Sequence, residues 1–416
     1  MTFREAEDYL LGLELFGMRF GLDRMHKLMT VLGMPQRRFA SIHVVGSNGK
    51  SSTVRMITAI LARHGLRTGS YTSPHLRTFA ERGEVGERPL PEPAFAAAVA
   101  RAAHAAELVN RTLADDDEVT QFEALTAAAY HALASSGVEV AVIEAGLGGR
   151  YDATNVIPSK VQVLPTVGLE HTRWLGPTLA DIAREKLAVV RDHATLVTGS
   201  LPAEALAVAR EVAAARHAGH VEVTEPWRGP LGPCGDFQRW NFAVAAAAAG
   251  AFAGELTGDL PGNRDWSRSV ESAAREVRVP GRLEQVADSP RTLIDAAHNP
   301  DGARAVAEAL RGERFVGVVG ILDDKDAAAM LEALLPLFDR VVFTRSRNPR
   351  SLSPATLESL SAQLDGPPSE IVPDPKDALE RARELAGRDG AVLATGSIYL
   401  VADLVSERRG ARASTL

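Results

Sequence analysis

The run Ile42-His43-Val44-Val45-Gly46-Ser47-Asn48-Gly49-Lys50-Ser51-Ser52 decides the reading of this chain. Four strand-prone residues lead into a glycine-bracketed turn, and the residues behind the turn open a helical pattern. A phosphate-binding loop needs that context. Glycines let backbone N–H groups approach phosphate oxygens. The helix N-terminus adds partial positive charge, a lysine reaches the terminal phosphates, and a hydroxyl can ligate Mg2+. Gly46, Asn48, Gly49, Lys50, Ser51 and Ser52 are therefore candidate ATP contacts. The spacing, G-x-x-G-K-S-S, is two residues shorter than the usual P-loop. A tightly packed strand–turn–helix junction would account for the glycines alone, but not for a lysine and two serines directly behind them.

Outward from this loop, short apolar runs alternate with longer helical patterns. Residues 42–45, 138–144, 161–165, 195–197, 292–295, 315–319, 341–344 and 391–394 read as strands. Residues 52–64, 122–135, 178–190, 238–254, 303–310 and 325–337 read as helices. Continuous apolar strands between helices indicate parallel sheets covered on both faces. The expected fold is α/β: an N-terminal P-loop ATPase-type domain with a mainly parallel sheet, then a smaller Rossmann-like α/β domain. Val279-Pro280-Gly281-Arg282 marks the junction, since a Pro-Gly pair ends one helical pattern before a new strand–helix series. The resulting division is 1–285 and 286–416. Pro89, Pro91 and Pro93 read as a loop, and residues 115–118 as an acidic surface turn.

Composition excludes several classes. The chain has 416 residues, 45% hydrophobic and 24% charged, which is ordinary for a globular protein of two or three domains. Its net charge of −7 lacks the electrostatic footprint of a general nucleic-acid binder. The one cysteine, Cys234, excludes an internal disulfide or a multi-cysteine metal site. Residues 1–20 do not read as a signal peptide, and the longest apolar run, 242–254, is too short to span a bilayer. A cytoplasmic protein without membrane or nucleic-acid partners is expected. Only six of the 46 basic residues are lysine (27, 50, 160, 186, 325 and 376). Against an arginine background, each lysine position is worth inspecting for chemistry that arginine cannot do.

The block Val140-Ala141-Val142-Ile143-Glu144-Ala145-Gly146-Leu147-Gly148-Gly149-Arg150-Tyr151-Asp152-Ala153-Thr154-Asn155 puts a carboxylate at the end of a buried strand, before a Gly-rich loop. Ligands of α/β folds bind there, and a hard cation such as Mg2+ suits such an oxygen donor. The short P-loop, with Phe20-Gly21-Leu22-Asp23-Arg24-Met25 and Leu32-Gly33-Met34-Pro35-Gln36 before it and Tyr71-Thr72-Ser73-Pro74-His75-Leu76 after it, resembles the Mur ligase superfamily. The flanking motifs look more specifically like folylpolyglutamate synthase and dihydrofolate synthase. The resemblance runs from about residue 9 to about residue 403. Glu170 stands where that family usually has Asp, Ser51 where the folate branch commonly has Gly, and Ala296 for Gly in Asp295-Ala296-Ala297-His298-Asn299-Pro300.

The resemblance implies a set of roles. Glu144 and His171 would ligate one Mg2+, and Ser73 with a P-loop serine, Ser51, would hold a second. Lys186 matches the lysine that the superfamily converts with CO2 to a carbamate, an anion that can ligate metal; arginine cannot replace it, because its guanidinium stays protonated. Asn241, in Gln238-Arg239-Trp240-Asn241, would contact adenine. Arg282 would reach the ATP phosphates, and Asp295 and His298 would lie near the nucleotide and the incoming amino acid. Backbone N–H groups around Ser397 could bind a carboxylate. Thr120, Gln121, Phe122, Glu123, Tyr151, Asp152 and Ala153 look like the dihydropteroate-contacting segments of bifunctional members. The arginines of Arg345-Ser346-Arg347-Asn348-Pro349-Arg350 either greet an anionic substrate or form a solvated loop.

The implied activity is ATP-dependent addition of L-glutamate to dihydropteroate or a reduced folate, through an acyl phosphate. Family habit implies a monomer. Two other readings stay open at this point: a Mur-type ligase with another carboxylate substrate, and a nucleotide-binding paralogue without ligase activity. A P-loop lysine at position 50 disfavours the first, since peptidoglycan ligases usually carry an added N-terminal domain. The joint presence of Lys50, Glu144, His171 and Lys186 disfavours the second.

Overall fold

The computed structural model describes residues 1–13, 21–257 and 264–406, so Phe20 of the opening motif lies outside the described residues. The chain builds two sheets. The first contains β1 (Ala40–Val44), β2 (Thr68–Tyr71), β3 (Gly83–Val85), β4 (Arg88–Pro89), β5 (Val140–Glu144), β6 (Val161–Leu164), β7 (Thr195–Thr198) and β8 (Gly219–Glu222), in the order β4-β3-β2-β5-β1-β6-β7-β8. Its pairings are parallel except for the β2–β3–β4 meander.

The period-two alternation of strands decides what each face packs against. On β5, Ala141 and Ile143 face a core shared with α1 (Phe3–Gly12), α2 (Asp23–Val31), α4 (Glu92–Asn110) and α5 (Gln121–Ser135). Val140 and Val142 point the other way. They pack with α3 (Lys50–Arg63), α9 (Asp236–Thr257) and α10 (Arg264–Glu276). Towards β7, a further core is closed by α7 (Leu179–Leu187) and α8 (Ala203–Ala215), just after the one-turn α6 (Thr172–Leu175).

The second sheet contains β9 (Glu284–Asp288), β10 (Arg291–Ile294), β11 (Phe315–Val319), β12 (Phe338–Phe343), β13 (Ser369–Ile371) and β14 (Ala391–Thr395), in the order β13-β12-β11-β14-β10-β9. Only β9 runs antiparallel. One face carries α11 (Pro300–Ala309), α12 (Ala327–Leu334) and α13 (Pro354–Gln363); the other carries α14 (Pro375–Ala386) and α15 (Ile398–Val405).

Three expectations need correction. A division after residue 285 would cut β9, which pairs only with the second sheet; the sheets part between α10 and β9. The proline stretch is not all loop: Pro89 ends β4 and Pro93 lies in the first turn of α4, where a missing N–H costs nothing. The acidic turn is not wholly solvated, since Asp117 pairs at 2.7 Å with buried Arg24.

Candidate active site

Topology gathers the site. β5 and β6 flank β1, and β2 lies beyond β5, so the loops leaving the carboxyl ends of all four strands converge. They carry the P-loop, Ser73, Glu144 and the 166–171 segment. Val44 pairs with Glu144, which places the carboxylate beside the start of the P-loop.

Gly49 is the N-cap of α3 with φ 81°, and a Cβ there would lie 2.4 Å from Asn241 Oδ1. Only glycine permits both that backbone and that contact. Asn241 Nδ2 in turn donates to Gln238 Oε1 at 3.0 Å. The segment that follows β6 holds the loop from the other side. Ser47 N–H donates to Thr166 O at 3.0 Å, Asn48 N–H to Thr166 Oγ1 at 2.9 Å, and Gly168 N–H to Ser47 Oγ at 2.9 Å. Lys50 Nζ donates to Gly46 O at 2.8 Å and Ser47 O at 3.1 Å, so its ammonium stands over the loop. Ser52 is buried in the first turn of α3.

Glu144 is 2% exposed. Its Oε1 accepts from Ser51 Oγ at 3.0 Å and its Oε2 from Ser73 N–H at 3.3 Å. Burial pushes its carboxyl above the usual range, and Lys50, Ser51, Ser73 and Arg282 oppose the shift. Lys186 is also 2% exposed. Its Nζ donates to Gly46 O and to Glu170 Oε1, each at 2.9 Å. Burial lowers its pKa, the Lys50 cation adds to the effect, and Glu170 opposes it. Glu170 itself is held well below the usual carboxylate range: burial would raise it, but Lys186 and Lys50 win. The sequence reading treated Glu170 only as a departure and missed it as Lys186's partner. Its place one residue before His171 was the available signal.

His171 sits on a left-handed turn, φ 49°, with its residue surface exposed. Crowding of the ring and the cations Lys325, Lys186 and Lys50 push it down to about 4, against Glu170. Among the described residues, no three His, Cys, Asp or Glu side chains cluster in cation-binding geometry. The implied metal set therefore falls into two groups. One is Glu144 with Ser51 and Ser73; the other is Lys186 with Glu170 and its neighbour His171. Lys50's charge acts on both.

The second sheet presents its own strand ends. Asp295, at the end of β10, accepts from Leu283 N–H at 2.8 Å and Ala297 N–H at 2.7 Å, which ties the Gly281–Leu283 junction to the β10–α11 turn. Burial raises its carboxyl and Arg282 opposes. His298 Nδ1 donates to Ala296 O at 3.1 Å. Burial, then Arg282 and Lys325, push its imidazole down to about 4. In the turn that carries His298, Asn299 Nδ2 donates at 3.0 Å to Asn48 Oδ1 of the P-loop, so the two strand-end sets face one another.

The implied pterin segment has a different character. Glu123 is buried against Arg24 at 2.9 Å, and Thr120 N–H and Oγ1 also donate to it. Gln121 Nε2 donates to Leu10 O at 2.8 Å, fastening α5 to α1. Asp152 accepts from Leu147 N–H at 2.8 Å, from Thr154 N–H at 3.0 Å, and from Thr154 Oγ1. Thr120, Gln121, Glu123 and Asp152 thus spend their polar atoms inside the chain. Phe122, half-buried over Gly146, and Tyr151, 48% exposed, remain able to offer ring surface. Ala153 is buried. Ser397 caps α15, accepting from Tyr399 N–H at 3.1 Å.

Comparison with known proteins fits this geometry. Residues 281–398 match the Mur ligase, glutamate ligase domain. A dihydrofolate synthase/folylpolyglutamate synthase of Mycobacterium tuberculosis is 34% identical over 83% of this chain and 78% of its own. The chain spans 50% of a Haloferax volcanii relative described as a probable bifunctional folylpolyglutamate synthase/dihydropteroate synthase, also 34% identical over 97% of this chain. Among solved structures, Mycobacterium tuberculosis folylpolyglutamate synthase complexed with ADP superposes with TM-score 0.87 at 31% identity, covering 96% of each chain. Escherichia coli FolC in complex with DHPP and ADP superposes with TM-score 0.82 at 27% identity, over 97% of this chain and 96% of its own. The chain belongs to the folylpolyglutamate synthase/dihydrofolate synthase family, with the glutamate ligase domain of the Mur ligases at its C-terminal end.

Proposed function

We propose that this protein joins L-glutamate to a folate-type carboxylate at the expense of ATP, acting both on dihydropteroate and on a reduced folate. The observation that carries the reading is the facing of two strand-end sets. Lys50, Glu144 and Lys186 stand on one side; Arg282, Asp295 and His298 stand on the other.

The γ-phosphoryl of ATP passes to the substrate carboxylate, giving an acyl phosphate and ADP. The α-amine of glutamate attacks that carbonyl, and the tetrahedral intermediate collapses to an amide and inorganic phosphate. Lys50 and Arg282 offset the charge that gathers as anions approach. His298, neutral above about pH 4, holds its Nδ1 proton on Ala296 O and keeps Nε2 as a proton acceptor. Facing loops from two sheets exclude water and align the partners, an effect of order 7–11 kcal/mol in favourable cases.

Mg2+ fits the first group of residues. Glu144 offers a buried carboxylate beside the Ser51 hydroxyl, hard oxygen donors for an ion that takes few protein ligands and several phosphate oxygens. Bound there, Mg2+ would neutralise phosphate charge. A carbamate on Lys186 fits as well. Burial and the Lys50 cation favour the neutral amine, the form that adds CO2 with release of one proton. Among the described residues no helix is long and apolar enough to cross a membrane.

Phosphate release with ATP, Mg2+ and glutamate, in the presence of dihydropteroate or of tetrahydrofolate, tests the reading. Glutamate-dependent release is expected with both. Release with neither overturns it, and release with one alone restricts the enzyme to that activity.

A further inference from the structure

The turn that carries Asp295 and His298 ends in a residue with two contacts that pull in opposite directions. Asn299 is the N-cap of α11, and its Oδ1 accepts from Gly302 N–H at 2.8 Å. Its Nδ2 donates at 3.0 Å to Asn48 Oδ1 in the P-loop, a bond between residues 251 positions apart. Because cap and bridge use opposite ends of one buried amide, the orientation of Asn299 is determined. A second contact runs beside it. Asp301 lies so close to Gly168 that a Cβ there would be 2.3 Å from Asp301 Oδ2, and Gly168 exchanges hydrogen bonds with Ser47 Oγ. The same turn fixes the junction segment as well, since Ala296 N–H donates to Gly281 O at 2.9 Å and Asp295 accepts from Leu283 N–H. Arg282 is held between those two bonds.

We propose that Asn299 is a positioning residue that sets the register between the two halves of the site. Through Asn48 it fixes the β10–α11 turn against the nucleotide loop, so that phosphates cradled at 46–51 meet Arg282 and His298 in line. The consequence for turnover rests on the ligase reading above; the consequence for nucleotide affinity does not.

Asn299→Ser keeps the cap, since serine caps a helix as well as asparagine does, but its side chain is too short to reach Asn48. The expected result is a rise in the ADP dissociation constant, and in KM for ATP, of about three- to tenfold, the range of one neutral hydrogen bond. The melting temperature should fall by less than in Asn299→Ala, since only the one bond is lost. Asn299→Ala should weaken ADP to the same degree and also lower the melting temperature, because the cap goes too. In an Asn48→Ala background, Asn299→Ser should add no further loss. Unchanged ADP affinity in Asn299→Ser overturns the proposal, as do multiplying losses in the double variant. A parent protein that binds ADP but forms no glutamate adduct would sink the ligase reading and leave the ADP comparison decisive.

Discussion

Glu144 and Asp152 lie eight positions apart on one strand–loop unit, both buried, both with carboxyls pushed up by that burial. They differ in what surrounds them. Asp152 is largely satisfied by its own loop: the Leu147 N–H, the Thr154 N–H and the Thr154 hydroxyl all donate to it. Glu144 has one hydroxyl and one longer N–H bond. A carboxylate offers about four acceptor sites. Asp152 has spent its acceptors on shaping the loop, whereas Glu144 keeps capacity for a cation. Burial and a raised pKa alone do not tell a binding carboxylate from a structural one; the acceptor count does.

The sharpest way to extend that contrast starts on the Glu144 side. Lys186→Arg should lower glutamate-dependent phosphate release by at least about 10²–10³-fold, the scale of losing a preorganised charge-stabilising group. Lys186→Ala should be partly rescued by short carboxylates in solution. A fully active arginine variant would break the assignment. Next in size, Glu144→Gln should raise the half-saturating Mg2+ about tenfold, ~1.4 kcal/mol. Its melting temperature at pH 8 should stay level or rise. The sign follows from a folded pKa above the unfolded value: the ionised carboxylate costs stability above that range, and glutamine removes the cost. A Mg2+ titration unchanged from the parent would remove Glu144 from the metal site.

Asp152→Asn should do the reverse. An amide NH2 would face backbone N–H groups that cannot turn, so thermal or urea unfolding should show a loss of about 1–3 kcal/mol. ADP affinity should hold. Should the Asp152→Asn variant prove as stable as the parent while losing only pterin binding, Asp152 would be a ligand contact after all.

The smallest effect at neutral pH lies behind that loop. His43 Nε2 meets Thr154 Oγ1 at 2.8 Å, and that hydroxyl donates to Asp152, so the imidazole supplies the proton in its own bond. Burial pushes His43 down to about 3. Between that value and the usual 6.5 the unfolded chain binds the extra proton. Stability therefore rises with pH across this window, by up to ~1.4 kcal/mol per pH unit. His43→Gln should flatten the melting temperature between pH 4 and 6 and leave it nearly unchanged at pH 7.5.

Much of this architecture was legible in the sequence. The strands read at 42–45, 161–165, 315–319 and 391–394 form within two residues of β1, β6, β11 and β14, because buried parallel strands are continuous apolar runs. Thr68-Gly69-Ser70-Tyr71 was not legible as β2, since its small polar residues carry no such signal; they are buried because strands β3 and β5 flank them and helices cover the sheet. The antiparallel β3, β4 and β9 are short and largely polar, and only pairing defines them.

For the candidate site, the loop pattern pointed to Lys50, the strand-end position to Glu144, and the family resemblance to Lys186 and Asp295. Local pattern has limits. It could not show that Glu170 would sit on Lys186, or that Glu123 would be consumed by Arg24 at a sequence distance of 99. Such pairings depend on how separate elements pack, which no local pattern encodes. The lysine scarcity was informative only in part. Lys50 and Lys186 stand at the site, and Lys325 acts on both histidines. Lys27 merely bonds the hydroxyl and carbonyl of Thr112, and Lys376 the carbonyl of Ser406.

The fastening of the nucleotide loop has a mechanical consequence. Thr166 and Gly168 grip it from one side, Asn241 fills the space beside Gly49, and Lys186 reaches across to Gly46. Sliding that loop over its sheet would break several of these contacts at once. Turning the second sheet about the single chain crossing at 279–283 would break, of the contacts to the loop, chiefly Asn299 to Asn48 and Asp301 to Gly168. The loop is therefore clamped to the first sheet, and its coupling to the second runs chiefly through those two contacts and the 279–283 segment, where Gly281 and Leu283 hold φ at 67° and 45°.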